Sequence, residues 1–403
     1  MPQDAAAPAG ANVPQPGDSL VVYLLTMGRG DAVWEKFGHN GILVVDMARH
    51  EEVVFNYGMF SFDQPGFLGR FLTGETQYWV EGHTLRSTLE AYRSLNRSVT
   101  AQRLDLSPAQ RAEMMAFLQR NVLPENKYYR YDYYLDNCST RVRDAIDHVT
   151  GGALRAATAD SLAGGTTFRS HTARLLSDAP AEYAGIMIAL GEPADVPITR
   201  WQEMFLPEQL MLRVRGVQVA GADGATHPLV RDERTLVTSS RPPEPDAVPD
   251  HRLPNLAVGA GLALLFVAFG HAVRDRVPTS RALLTGLGVV WSLVSGVVGT
   301  VLLLAWTATR HSFWYRNENL LQFNPLSLAL VVLIPLAMLR GRATRATGIV
   351  AGVVASLSVL GLVMQVLPAF SQVNGEVIAL ALPVHLAVVA ALHAAGRGAR
   401  RGA

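Results

Sequence analysis

Cysteine is almost missing from this chain: of 403 residues only Cys138 carries a thiol. A single thiol excludes an intramolecular disulfide framework and a cysteine-based zinc site. Charge is also scarce, with 17% of residues charged against 49% hydrophobic and a formal net charge of +1. So even a balance points to no polyanion partner, and no Lys/Arg stripe with interleaved aromatics supports nucleic-acid binding. No metal and no other cofactor is expected. The opening string MPQDAAAPAGANVPQPGD lacks a basic start and an apolar core. It does not read as a signal peptide; residues 1–18 read as a flexible Pro/Ala/Gly tail. Apart from a likeness among the late apolar stretches, no internal repeat is visible.

What the chain has in excess is apolar length, and it lies after about residue 250. Five stretches, roughly 254–273, 282–308, 320–339, 346–369 and 375–395, reach the length of about 18–20 apolar residues that crosses a bilayer. Arg274, Arg276 and Arg281 lie between the first and second. Arg340, Arg342 and Arg345 separate the third and fourth, and Arg397, Arg400 and Arg401 follow the fifth. The other two connections are less basic. By the positive-inside rule the basic connections face the cytoplasm, as does the C-terminus, and an odd number of spans puts the N-terminal half outside. The expected parts are a domain at 19–237, a Pro-rich linker at 238–253, a transmembrane domain at 254–396 and a cytoplasmic basic tail at 397–403.

The N-terminal half alternates strand and helix signals. SLVVYLLTM at 19–27 suits a buried strand. GILVVDM at 41–47 and EVVFNYGMF at 52–60 read as a hairpin turning near Arg49 and His50, and SVTAQRLDL at 98–106 as a further strand. Ser107 is a good N-cap with Pro108 at the first helical position, in a helix ending near Leu123. NCSTRVRDAIDHVTGG opens a helix at or near Cys138 and closes it at Gly151 and Gly152. Residues 155–215 read as mostly helical, with a loop near 160–170.

A thiol at a helix start sits at the positive end of the helix dipole, where free N–H groups stabilise a thiolate and can bind an oxyanion. Asn137, one residue earlier, is a candidate side-chain donor to that oxyanion. The plain alternative is a small buried hydrophobe. His39 lies between Gly38 and an apolar strand, where a side chain can face a cleft and serve as the base; the alternative is a core or turn histidine. A third polar group must hold the imidazole. Asn56 on the paired strand is the first candidate, with Glu35 and Asp63 as competitors. His50, His83 and His148 receive no role. Candidate substrate-binding residues are Glu35, Tyr57, Arg141, Asn317 and Asn319. Arg141 and Asp144, three apart on one helical face, can instead simply pair. Asn317, Asn319 and Asn324 lie in HSFWYRNENLLQFNP, whose Trp314 and Tyr315 fit an interfacial belt. YYRYDYY at 128–134 is either an acyl groove or packing beside the Cys138 helix. FLGRFLTG at 67–74 reads as a surface helix or loop, with the membrane interface as the second reading.

FGHNGILVVD, FNYGMFSFD and YDYYLDNCSTRVRDAID together resemble the N-terminal periplasmic domain of the Lnb family of bacterial lipoprotein N-acyltransferases. WYRNENLLQFNPLSL and the apolar stretches around it are similar to that family's transmembrane half, so the resemblance runs over roughly 19–395. A signal peptide belongs to the expected pattern, and the opening string departs from it. The order, histidine before cysteine, also resembles the circularly permuted papain-like group. The resemblance implies an α+β fold: a permuted papain-like, NlpC-type extracytoplasmic domain followed by an all-α transmembrane domain of five helices. It implies a transacylase of the bacterial cell membrane. Cys138 would take an ester-linked chain from a diacylglyceryl or phospholipid donor as a thioester, and His39 would move the protons. The α-amine of a lipoprotein's terminal cysteine would then accept the chain. A papain-like hydrolase of lipid esters, thioesters or peptidoglycan peptides, and a non-enzymatic scaffold with an inert thiol, are the competing readings.

Overall fold

The computed structural model describes residues 15–221, 224–340 and 344–400, with side chains up to residue 396. Residues 1–14 of the expected tail, Arg342, Arg401 and the end of the basic tail lie outside the described residues. The chain divides into two compact units. Of the described residues, one holds those up to Pro65, Thr76–Gly164 and Ile198–Glu244; the other holds Gly66–Glu75, Gly165–Pro197 and those from Pro245 onward. Segments 66–75 and 165–197, expected inside a 19–237 domain, thus pack with the apolar helices.

The first unit is built on strands β1 (Leu20–Met27), β2 (His39–Asp46), β3 (Glu51–Met59), β4 (Gln77–His83), β5 (Val99–Leu104), β6 (Tyr128–Arg130) and β7 (Val230–Val237). The sheet order is β7-β5-β1-β2-β3-β4-β6, and the pairings are antiparallel. Successive side chains of a strand face opposite sides, so a sheet covered on both faces needs apolar residues at both parities. That is why LVVYLLTM and GILVVD are nearly continuous apolar runs. Leu20, Val22, Leu24, Ile42, Val44, Phe55 and Tyr57 face one core, shared with Cys138, Val142 and Ile146. Leu25, Met27, Leu43, Val54 and Val99 face another, closed by Leu85, Leu89 and Tyr92 of helix α1 (Leu85–Ser94).

Two further helices follow their local signals. α2 (Pro108–Asn121) starts with a full capping box, Ser107 and Gln110 each bonding the other's backbone. α3 (Cys138–Val149) starts the same way: Asn137 Oδ1 accepts from the Thr140 N–H at 2.9 Å and Thr140 Oγ1 from the Asn137 N–H at 2.8 Å. α3 ends before Gly151 and Gly152, whose φ values of 66° and 85° favour glycine. A short helix α4 (Pro207–Val214) completes that core through Leu210 and Val214.

In the second unit follow α5 (Arg252–Arg274), α6 (Ser280–Ala308), α7 (Ser327–Leu339), α8 (Arg345–Met364) and α9 (Gly375–Arg400). α5, α6, α8 and α9 are long and apolar enough to span a membrane. The third stretch, expected as a span over 320–339, is a helix only over the 13 residues of α7. At 1.5 Å per residue that is about 20 Å, against a hydrocarbon core of about 30 Å. Pro325 explains the late start, because a proline disfavours the helical conformation of the residue before it. α9 continues past the expected end of the membrane domain to Arg400. α5 and α9 approach closely: a Cβ built on Gly270 would lie 2.6 Å from Ala391 Cα, so glycine is required there.

Candidate active site

β1 and β2 meet at their ends with Met27 opposite His39. Gly38, at φ 79°, delivers the chain into His39, and a Cβ there would strike Met27 O at 2.9 Å. His39 Nε2 lies 3.1 Å from Asn56 Oδ1 on β3. An amide oxygen can only accept, so Nε2 carries the proton and Nδ1 keeps its lone pair. The amide orientation is set by Asn56 Nδ2, which donates to Val54 O at 3.2 Å and reaches His83 Nδ1 at 3.4 Å. His83, given no role from sequence, therefore stands directly behind Asn56. Neither competitor for the imidazole takes this place. Asp63 is exposed, and Glu35 pairs elsewhere.

Immediately after Asn56 the β3–β4 register shifts and Gly58 adopts φ 84°. The Gly58 bulge makes room for the start of α3, and a Cβ on Gly58 would lie 3.4 Å from Cys138 Cβ. The Cys138 thiol is buried. The backbone N–H groups of Asn40, Ser139 and Cys138 itself face the sulphur and favour its thiolate. Asn40 is the residue after His39, so the same turn of β2 that presents the imidazole also presents an N–H to the thiol.

Sequence predicts a thiolate stabilised by the helix start, and here the structure reverses the direction. Burial pushes the Cys138 thiol up and outweighs the N–H groups and the Arg97 charge. Burial, then the Arg97 charge, push His39 down to about 4, while its bond to Asn56 acts in the opposite sense. The resting pair is therefore neutral thiol and neutral imidazole. Alkylation of Cys138 by iodoacetamide at pH 7 is expected to be slower than that of N-acetylcysteine and to rise only at higher pH than that of the free thiol, because the thiolate is the reactive form. Faster labelling than the free thiol at pH 7 overturns the neutral resting state.

Arg97 is the site residue that sequence missed. Its side chain is buried, donates through Nε to Gly28 O at 2.8 Å, places Nη1 3.1 Å from Glu35 Oε1 and lies over the Tyr92 ring. In the sequence it sits in SLNRSVT, a polar turn before a strand, and no local spacing ties it to Glu35, His39 or Cys138.

The remaining expectations divide. Asn137 is not free to bind an oxyanion: both hydrogens of its amide are taken, by Tyr133 O at 3.0 Å and Phe205 O at 2.9 Å, and its oxygen caps α3. Glu35 holds Arg97 and accepts from the Ala32 N–H, so it is engaged within the protein. Arg141 pairs with Asp136, not Asp144, and lies 4.2 Å over the Tyr129 ring; Asp144 pairs with Arg143. Tyr57 is buried in the Cys138 core, and its hydroxyl has no partner among the described residues. Asn317 and Asn319 are buried as well. Asn317 Nδ2 donates to Ile188 O and Ala189 O at 2.9 and 2.8 Å, and Asn319 Nδ2 to Ile188 O at 2.9 Å. The last carbonyls of a helix lack partners inside it, and these amides supply them for helix Pro180–Ala189. The amides expected to bind substrate cap a helix instead.

Two family models match this chain. The Lnb N-terminal periplasmic domain covers residues 15–178 and the Lnb transmembrane domain covers residues 259–393. The chain belongs to the Lnb family. Among curated proteins and solved structures nothing matches. The first Lnb domain contains His39, Asn56, Arg97 and Cys138, so every group of the site described above comes from it. The second contains all of α6, α7 and α8 and the greater part of α5 and α9, and the two together make the protein an integral membrane protein with a periplasmic N-terminal domain.

Proposed function

We propose that this Lnb protein is a lipoprotein N-acyltransferase of the bacterial inner membrane working through a Cys138 thioester, with its basic connections and C-terminus in the cytoplasm. The observation that carries the reading is the pairing at the end of β2: an imidazole held by Asn56 at 3.1 Å, and next to it an N–H aimed at a buried thiol at the start of α3. A nucleophile, a base and a group orienting the base are the parts acyl transfer needs. The order of His39 and Cys138 along a mixed α/β domain supports a permuted papain-like arrangement. Membership of the Lnb family in a chain with four membrane-length helices among its described residues supports a lipid-linked substrate.

In this mechanism His39 Nδ1 takes the Cys138 proton as the sulphur attacks an ester carbonyl of the diacylglyceryl or phospholipid donor. Proton transfer accompanies attack, because neither group is charged at rest. The Asn40, Cys138 and Ser139 N–H groups are the donors nearest a carbonyl carbon bonded to the sulphur, and they receive the oxyanion in place of Asn137. The C–O bond breaks, the leaving alkoxide takes the proton from His39, and a lyso-lipid departs. The neutral α-amine of the lipoprotein's terminal cysteine then attacks the thioester. His39 accepts its proton, the C–S bond breaks, and the proton returns to sulphur. An amide has formed and the enzyme is restored. Two easier steps replace one difficult transfer.

Mass spectrometry of a diacylated lipoprotein co-expressed with this protein, in a host lacking its own N-acyltransferase, tests the proposal. The expected product carries one amide-linked chain on the α-amine, and the chains left on its glycerol identify the donor. Loss of an ester chain without N-acylation identifies a hydrolase instead. An unchanged lipoprotein despite good expression removes the transferase reading.

A further inference from the structure

The Phe67–Thr73 helix has no buried residue, and its Leu68, Phe71 and Leu72 are 68, 47 and 61% exposed. Three large apolar side chains on one short helix are a poor surface for water. The helix belongs to the unit that holds the membrane spans, and its C-terminal end is fixed to the end of α6. The Arg310 N–H donates to Thr73 O at 2.8 Å, and His311 Nε2 donates to Phe71 O at 3.0 Å. Arg310 pairs with Glu75 at 3.2 Å. Gly74, at φ 73°, permits the approach, because a Cβ there would lie 3.0 Å from both Arg310 C and His311 N. Around this junction aromatics gather as they do at a bilayer surface: Trp306 against Tyr315 at 5.6 Å and Trp314 stacked on His311 at 4.9 Å.

We propose that the Phe67–Thr73 helix lies in the bilayer interface on the periplasmic side, with Leu68, Phe71 and Leu72 among phospholipid acyl chains. The argument for lipid as occupant is continuity. α6 is a membrane span ending at Ala308, and the helix is bonded to the two residues that follow its C-cap, Thr309. A seven-residue helix is about 10 Å long, enough to lie along the surface but not to enter the core. The same segment is the connection between β3, which carries Asn56 and Gly58, and β4.

The test uses the full chain in nanodiscs of phosphatidylethanolamine and phosphatidylglycerol. Cys138→Ser removes the only native thiol, and Leu68→Cys, Leu72→Cys and, as an aqueous control, Glu90→Cys on α1 then carry a nitroxide label one at a time. Electron paramagnetic resonance measures label collisions with oxygen, which concentrates in lipid, and with a water-soluble nickel chelate. The expected ratio of oxygen to nickel accessibility is several-fold higher at 68 and 72 than at 90. Ratios at 68 and 72 equal to that at 90 overturn the proposal in favour of water. Exclusion of both reagents overturns it in favour of protein. Neither reading depends on catalytic activity, so this test stands apart from that of the acyl transfer.

Discussion

Cys138→Ser and His39→Ala are each expected to lower acyl transfer by about 10⁴-fold or more, with the double variant no slower than the worse single one. In the proposed mechanism the two side chains act in one proton transfer, so the loss of either disables the step and the second substitution has nothing left to remove. Serine at 138 keeps the volume and the α3 capping box but replaces a polarisable thiol by a weaker nucleophile. Alanine at 39 takes away the imidazole proposed as the base, and it leaves Asn56 bonded to Val54 O and His83. β2 and β3 should therefore keep their register, and thermal midpoints near that of the parent check this. Asn56→Ala is the graded member of the series. It removes the acceptor that fixes the tautomer and not the base itself, and a loss of about 10–100-fold is expected. Single-turnover transfer followed by mass spectrometry separates the three. Full activity in either Cys138→Ser or His39→Ala defeats the mechanism, and an unchanged Asn56→Ala places the orienting group elsewhere, with His83 the next to test.

Much of this site was legible in the sequence, because its parts are local. His39 sits after a glycine at a strand start, Asn56 lies on the partner strand of a hairpin, and Cys138 follows an N-cap with threonine three residues later. Each is a pattern of adjacent residues with a mechanical meaning. What stayed hidden depends on distance through space. Arg97 reaches Glu35 across 62 residues of chain (97 less 35), and no periodicity announces such a pair. The direction of the Cys138 shift depends on how deeply the sheet and its helices enclose the sulphur, whereas sequence reveals only the helix start that opposes it. Asn317 and Asn319 read as substrate-binding candidates in a loop rich in aromatics and amides; whether a loop amide meets a ligand or caps another helix is decided by packing. The shortened α7 was half visible in Pro325, but hydropathy averaged over the stretch conceals where a helix begins.

The packing of 165–197 yields the second large effect. Arg169→Ala is expected to destabilise the second unit by about 3–5 kcal/mol, the cost of leaving a buried charge without its partner. Arg169 and Asp195 are 5 and 1% exposed, and Nε contacts both carboxylate oxygens at 2.8 and 2.9 Å. The guanidinium also donates to Met187 O, Leu190 O and Gly191 O, at 2.9, 2.9 and 3.2 Å, carbonyls at the end of helix Pro180–Ala189 that have few other partners. Burial holds the Asp195 carboxyl above its usual range even beside Arg169, so the pair is a costly one whose worth lies in fixing geometry. Two consequences distinguish this account from a generic core defect. Asp195→Ala should cost less than Arg169→Ala, because it leaves the carbonyl bonds in place. Replacing both residues by apolar side chains of similar volume should recover part of the loss, since no unpaired charge is then buried. Thermal unfolding in detergent, with limited proteolysis between 165 and 197, measures all three. A loss under about 1 kcal/mol for Arg169→Ala, the range of an exposed pair, would show that Asn317, Asn319 and Gln372 hold this segment without it.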